Sequence, residues 1–203
     1  TGPKFYGSIC STHTFADRVK TLKIARDQGF NLCSGGIFGL GETLQDRIDL
    51  ALVLRKIRVD SVPLNFLNPI PKTPLENQPA VNPWRQNRLY QADFLLRDYG
   101  FTIEDLPFDP SGSLPLETDP KLAWAQANLA HAPLEINRAD LHQLLRIPGI
   151  GPRSAKAIIA ARRKNTLRHI EDLKAIGVRP TRAAPFILLD GSPLPRQIPL
   201  ADW

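Results

Sequence analysis

No methionine occurs in the 203 residues, and cysteine occurs only twice, at Cys10 and Cys33. Two cysteines cannot build a disulfide framework, and their spacing is not that of a zinc site. A reducing, cytoplasmic setting is therefore expected. Long apolar runs are missing too: no stretch of about 18 apolar residues appears and no signal-peptide pattern opens the chain, so no membrane span is expected. Without methionine and beginning at Thr1, the sequence reads as a piece of a longer translation product. Acidic charge is scarce in one part only. From Lys121 to Trp203 there are thirteen Lys and Arg against six Asp and Glu, a net of +7, while the first 120 residues carry thirteen bases and fourteen acids, a net of −1. The overall +6 thus belongs wholly to the C-terminal part. That is the electrostatic footprint of a nucleic-acid-binding module, with a solvated basic face as the alternative reading.

The apolar content of 42% is enough for a core, in one large domain or two small ones. Residues 14–29, TFADRVKTLKIARDQG, predict a helix: Phe15, Val19, Leu22, Ile24 and Ala25 recur at helical spacing, Thr14 with Asp17 resembles a capping box, and Gly29 ends it. FNLCSGGIFGLGE predicts a short strand entering a glycine-rich loop. A second amphipathic helix is expected over 43–57, with Leu44, Ile48, Leu52 and Val53 on one face, and a strand over 61–67. Helix, strand, helix, strand is the grammar of parallel α/β architecture, in which loops at the strands' C-terminal ends build the site. Six prolines between Pro63 and Pro83 break regular structure and place a seam near 76–86. Beyond it come expected helices over 84–99 and 120–129 and a proline-punctuated linker over 107–119. The rest is expected to be all-helical until the proline-rich tail. The expected divisions are 1–80, a helical connector over 81–134, a helical domain over 135–190 and a tail over 191–203.

The most specific motif is INRADLHQLLRIPGIGPRSAKAIIAAR, beginning at Ile136. It predicts a helix over 139–145, a tight PGIG turn and a second helix over 152–163. Gly149 and Gly151 permit backbone conformations that a Cβ forbids and leave N–H groups facing outward at a helix start, where a phosphate can sit. Leu144, Leu145, Ile147, Ile150, Ala155, Ile158 and Ile159 are expected to close the two helices on each other. Arg153, Lys156, Arg162 and Arg163 remain outside to meet neighbouring phosphates. LLRIPGIGPRSAKAII resembles the helix-hairpin-helix family, whose hairpin amides hold the DNA backbone without reading sequence. That resemblance implies DNA contacts at Gly149, Ile150, Gly151, Arg153 and Lys156. A hairpin that only packs against its own domain or a protein partner is the alternative. HIEDLKAIGVRPTRAAPFI, from His169, repeats the helix–turn–helix outline with a single glycine, Gly177, and is expected to pack rather than grip.

In the N-terminal part, FYGSICSTHTFADRV, CSGGIFGLGETLQDRI and DSVPLNFLNPIPKTPLE together resemble biotin synthase, a radical S-adenosylmethionine enzyme, over residues 1 to about 80. The resemblance implies a partial TIM-like (β/α) barrel, iron–sulfur-dependent cleavage of S-adenosylmethionine, and sulfur insertion into dethiobiotin. It implies that Cys33 is a ligand of an auxiliary 2Fe–2S cluster. Gly35, Ile37, Gly39 and Glu42 would support the adenine of S-adenosylmethionine, Arg18 would meet its carboxylate, and Asn65 would lie near substrate. Cys10 matches no family ligand and is expected to be an inert core thiol. The CxxxCxxC triad that holds the family's 4Fe–4S cluster is absent, so no radical chemistry is expected of this stretch by itself, and the parent's triad is expected upstream of Thr1.

Residues 88–101, RLYQADFLLRDYGF, and 119–125, DPKLAWA, with the hairpin resemble the C-terminal region of a second radical S-adenosylmethionine group, that of DNA modification and repair. The chain thus resembles a join of two families near residue 80. The expected fold is an α/β partial TIM-like barrel followed by an all-α helix-hairpin-helix domain. Expected partners are the DNA backbone, S-adenosylmethionine, and a second copy or other chain completing the barrel. The competing functions are a radical enzyme fragment with a DNA-binding tail, a DNA modification or repair enzyme, and a DNA-binding module without catalysis.

Overall fold

The computed structural model describes residues 2–178 and 180–194. Of the tail expected over 191–203, residues 195–203 lie outside the described residues. The chain divides into two compact units, Thr1–Gln86 and Asn87–Trp203.

The first unit begins with α1 (Tyr6–Ile9) and α2 (Phe15–Asp27). Thr14 caps α2 as its sequence suggests: its hydroxyl accepts from the Asp17 N–H, while the Asp17 carboxylate accepts from the Thr14 N–H at 2.9 Å. The same reciprocal cap, Thr43 with Asp46, opens α3 (Leu44–Ile57). Between them runs β1 (Gly36–Phe38), and after α3 comes β2 (Leu64–Phe66). The two strands pair in parallel with Ile37 opposite Asn65, and a bridge between Cys33 and Ser61 precedes them. This is one βαβ step; among the described residues the sheet has two strands and no closed barrel. The helix face expected to be buried is not the buried one. Leu50, Leu54 and Ile57 are buried, whereas Leu44 is 71% and Leu52 57% exposed, with Ile48 exposed as well. α3 is apolar on two sides, and periodicity alone could not tell which side meets the sheet.

The second unit contains most of α4 (Trp84–Asp98), then α5 (Pro120–Asn128), β3 (Leu134–Glu135), α6 (Leu141–Arg146), α7 (Pro152–Arg162), α8 (Ile170–Ala175), β4 (Ile187–Leu189) and β5 (Ser192–Pro193). It is not all-α. β3 pairs in parallel with β4, and β4 antiparallel with β5, in a three-stranded sheet. Two- and three-residue strands carry too little alternation to be seen in sequence, and only long-range pairing makes them strands. The second helix–turn–helix outline also differs: after α8 and Gly177 the chain makes two 3-10 turns, Pro180–Arg182 and Ala184–Phe186, instead of a helix. Pro180 and Pro185 supply no N–H to continue an α-helical ladder.

One core organises this unit around fully buried Ile136, Leu144, Ile147, Ile150, Ile158 and Leu173. A second, smaller cluster joins Ala92 and Leu95 of α4 to Phe101, Leu106 and Leu114. The proline-punctuated stretch 107–119 is held to α4 by the buried Arg88, whose guanidinium donates twice to the Leu116 carbonyl, at 2.6 and 2.9 Å. No helix among the described residues is long and apolar enough to cross a membrane.

Truncating Ile158, which is fully buried, to alanine should cost about 2–5 kcal/mol in urea unfolding. Truncating the exposed Leu52 should stay within about 0.5 kcal/mol. Equal effects would contradict the burial pattern described.

Candidate functional site

The C-terminal hairpin is built by a turn that its residues require. α6 is capped by Asp140, which accepts from the Gln143 N–H at 2.8 Å, and ends at Ile147. Ile150 N–H then donates back to the Ile147 carbonyl at 3.1 Å. Pro148 and Gly149 occupy the two middle positions of this turn, and Gly149 has φ +83°, the positive value that the position demands and a side chain resists. Gly151 serves differently: a Cβ there would lie 3.2 Å from the Tyr99 hydroxyl. Pro148 and Ile150 are buried as anchors while Gly149 is exposed at the tip.

α7 starts at Pro152, which has no N–H, and its first bond from outside the helix is Ala155 N–H to the Gly151 carbonyl. The N–H groups of Gly149, Gly151, Arg153 and Ser154 therefore have no internal acceptor among the described residues. These are the orphan donors of a helix start, gathered with the positive end of the helix dipole, an arrangement able to accept an anion. Arg153 and Lys156 are exposed on the next turn, and Arg163 and Lys164 at the far end of α7, with no ion pair among the described residues.

Several cations that look equivalent in sequence are spent internally. Arg162, expected at the surface, is half-buried and donates to the carbonyls of Ile136 and Ala139 at 2.8 and 2.6 Å, tying the segment before α6 to α7. Arg146 pairs with Asp105 at 2.8 Å and lies over the rings of Phe101 and Trp124. Arg168 pairs with Asp190, and Arg182 with Asp119.

Two residues that sequence reading passed over support the hairpin. Asn137 donates to the Leu167 carbonyl at 2.8 Å and accepts from the Leu167 N–H at 2.9 Å, holding the strand of chain after α7 as a neighbouring backbone would. Lys121 Nζ donates to the Ile150 carbonyl at 2.6 Å. INRADL contains the asparagine, but its partner thirty residues on has no local signal; DPKLAW contains the lysine, and nothing there points to Ile150.

In the first unit, the residues assigned to S-adenosylmethionine and a cluster separate into groups. Arg18, Cys33 and Gly35 line one cavity of about 320 Å3, with Tyr6, Phe15 and Leu50 among its walls. Ile37, Gly39, Glu42 and Asn65 are not on it. Ile37 and Asn65 are exposed. Glu42 is turned into its own loop: its carboxylate accepts from the N–H groups of Gly39 and Leu40 and pairs with Arg47 at 2.9 Å. Burial pushes the Glu42 carboxyl up, but those N–H donors and Arg47 outweigh it and hold the group below the usual carboxylate range. Gly35 is needed for a close approach, since a Cβ would lie 1.9 Å from the Pro63 carbonyl oxygen.

Neither cysteine is buried in a core. Cys33 is exposed, and the Ser61 hydroxyl donates to its sulfur at 3.3 Å. Cys10 is half-buried with its sulfur 3.5 Å from Thr12 Oγ1 and from His13 Nδ1; hydrogen bonds from Thr12, then from the His13 backbone, bring its pKa down to about 7. An iron–sulfur cluster needs several thiolates, and among the described residues no three His, Cys, Asp or Glu side chains are grouped to hold a metal. The described residues do not fit a 4Fe–4S cluster, and Cys33 alone does not fit a 2Fe–2S one.

With this geometry in place, similarity to known proteins falls into two segments. The helix-hairpin-helix motif family matches residues 130–178, which hold the whole hairpin and α8. Residues 1 to about 80 resemble biotin synthases. The biotin synthase of Fusobacterium nucleatum subsp. nucleatum is 54% identical over 81 residues, 40% of this chain and 22% of that protein. That of Thermotoga neapolitana is 55% identical over 82 residues, 40% of this chain and 29% of that protein. That of Clostridium botulinum type E3 is 44% identical over 115 residues, 49% of this chain and 36% of that protein. The chain spans about a quarter of the length of the curated relatives it matches.

Replacing Glu42 by glutamine should destabilise the first unit by about 1–3 kcal/mol at neutral pH, since it removes the charged acceptor of buried donors. The Glu42 carboxyl is lowered on folding, so its contribution is present above about pH 4.5, its unfolded value, and is lost as pH falls below that. Urea unfolding of parent and variant at neutral pH and near pH 3 checks this: the difference should shrink on acidification, and a difference that grows would contradict the assignment. Separately, reconstitution with iron and sulfide should leave no stable 4Fe–4S absorbance; a stoichiometric cluster would contradict the poor fit.

Proposed function

We propose that this chain joins a biotin-synthase-like piece of a radical S-adenosylmethionine enzyme to a module that binds the DNA backbone without sequence preference. The observation that carries the DNA reading is the set of four backbone donors without an internal acceptor, on Gly149, Gly151, Arg153 and Ser154, beside the exposed Arg153 and Lys156. Phosphate oxygens are the natural acceptors for such donors, and backbone contacts of this kind carry no base information. The net +7 beyond residue 120 supports the same partner. The Ile150 side chain serves as the buried anchor, so contact at that position runs through the turn's backbone.

For the N-terminal part, the similarity supports descent from a sulfur-inserting synthase acting on dethiobiotin. A parent that modifies or repairs DNA is the second reading, favoured by the hairpin itself, because it would bring a reactive centre to a DNA substrate. In both, the described residues act as a DNA tether, and the radical chemistry belongs to cysteines outside them. The apolar side of α3, with Leu44, Ile48 and Leu52 exposed, supports a further part of the parent or a second copy covering this unit.

Fluorescence anisotropy with a random-sequence duplex, from low to physiological salt, tests the reading. Affinity should fall steeply with salt and ignore sequence. Reversing Arg153 and Lys156 to glutamate, both exposed, should weaken binding at least about tenfold and reduce the salt slope by about 1 per lost contact. Bulky substitution of Gly149 and Gly151 should weaken binding to all sequences alike. Undiminished affinity in the charge-reversed protein, or no binding at low salt, would make the hairpin a packing element.

A further inference from the structure

Below the hairpin lies a charge that the phosphate receptor does not use directly. Lys121 is the second residue of α5, after the fully buried Pro120. Its side chain reaches under the turn, donating to the Ile150 carbonyl at 2.6 Å with its ammonium 4.6 Å from the centre of the Tyr99 ring. Had α7 begun one residue earlier, the Ile150 carbonyl would have accepted from the Ser154 N–H. Lys121 takes that acceptor, and the Ser154 donor stays free for a ligand. Tyr99 belongs to the same joint, because its hydroxyl is the atom that a Cβ on Gly151 would approach. A single ammonium therefore ties α5, the residue following α4 and the turn together.

We propose that Lys121 is the positioning residue of the phosphate receptor, and that a phosphate bound at the hairpin draws a proton onto it, coupling DNA binding to proton uptake. This inference rests on the DNA-backbone reading above and assigns that site a regulator.

The groups facing Lys121 set the balance. On α5 itself the N-cap Asp119 is adjacent; from the 3-10 turn Pro180–Arg182 comes Arg182, paired with Asp119; from α4 come Gln91 and Asp98, followed by Tyr99; from α7 comes Pro152. All line a cavity of about 500 Å3. Burial pushes the ammonium down from 10.5 to about 7, Arg182 adds to the fall, and Asp119 opposes it. Near neutral pH the free protein is thus divided between two protonation states. A phosphate at the neighbouring amides brings negative charge and favours the protonated one, so the complex holds more protons than its separated parts. Affinity must then be highest at low pH and fall as pH rises through about 7, levelling only above the pKa of the complex. A rise of about one pKa unit on binding corresponds to about a tenfold fall in affinity across that window. The free protein supplies an independent sign. A lysine lowered on folding costs stability below about 7, and that cost disappears as pH rises toward 10.5.

The test compares the parent with Lys121→Arg and Lys121→Met by anisotropy on one random duplex, at about pH 6 and about pH 8.5 and constant ionic strength. The parent should lose about tenfold in affinity between the two. The arginine variant, charged throughout and still a donor, should stay near the parent's low-pH value at both, and the methionine variant should be weak at both. Any titration elsewhere in the chain acts on all three proteins alike, so the differences between them belong to Lys121. Circular dichroism checks folding, and the arginine variant keeps the test decisive if the methionine one fails to fold. A parent that binds DNA with the same pH profile as the arginine variant overturns the proton coupling while the DNA reading stands. A parent that binds at neither pH removes that reading and this inference with it. Urea unfolding should also show the parent gaining stability relative to the methionine variant between about pH 7 and pH 9; no relative gain counts against the lowered lysine.

Discussion

The hydrogen bond from the Ile150 N–H to the Ile147 carbonyl closes the turn on which the C-terminal unit depends. By reversing the chain within four residues it lets α6 and α7 face each other and brings Leu144 and Ile158 into one core. It also interrupts the helical ladder, and the interruption produces the unbonded donors between Gly149 and Ser154. Fold and receptor have one cause here: a backbone cannot give its amides both to a continuous helix and to a ligand. The buried side chains of Ile147, Pro148 and Ile150 hold this arrangement from below, which leaves the exposed tip free of any packing duty.

The two units have different relations between helix and core. In the second, most apolar positions at helical spacing end in one large and one smaller interior cluster, with Phe94 and Ile103 left exposed. In the first, a single βαβ step buries one side of α3 and leaves Ile24, Phe30, Leu44 and Leu52 in contact with water. Two short parallel strands offer few neighbours, and parallel sheets are ordinarily covered on both faces. The glycine loop is nonetheless closed tightly, because Glu42 satisfies it from within.

What could be read in advance follows the range of the interactions. The caps of α2 and α3, the PGIG turn and the buried set Leu144, Ile147, Ile150 and Ile158 depend on residues within a few positions of each other, and sequence displays such patterns directly. The strand at Leu134–Glu135 owes its existence to Ile187–Leu189, more than fifty residues away, and was invisible. Arg162 and Arg153 look alike as exposed-face cations, yet one is consumed by two carbonyls. Only the path of the chain before α6 decides between them. For the same reason the glycine-loop residues form a recognisable pattern while their side chains do not converge on one cavity.

The pairing of β3 with β4, together with Glu135 accepting from the N–H groups of Asp190 and Gly191 at 3.3 and 2.7 Å, fastens the chain before the hairpin to the chain after α8. Such a clasp makes the intervening helices a closed loop in space. Thermal opening from the C-terminal side cannot pass β4 without breaking the pairing that also holds Ile136 in the core. The hydrogen-bonded amides of α6 and α7 should consequently exchange as slowly as those of the sheet that closes them, in one cooperative block.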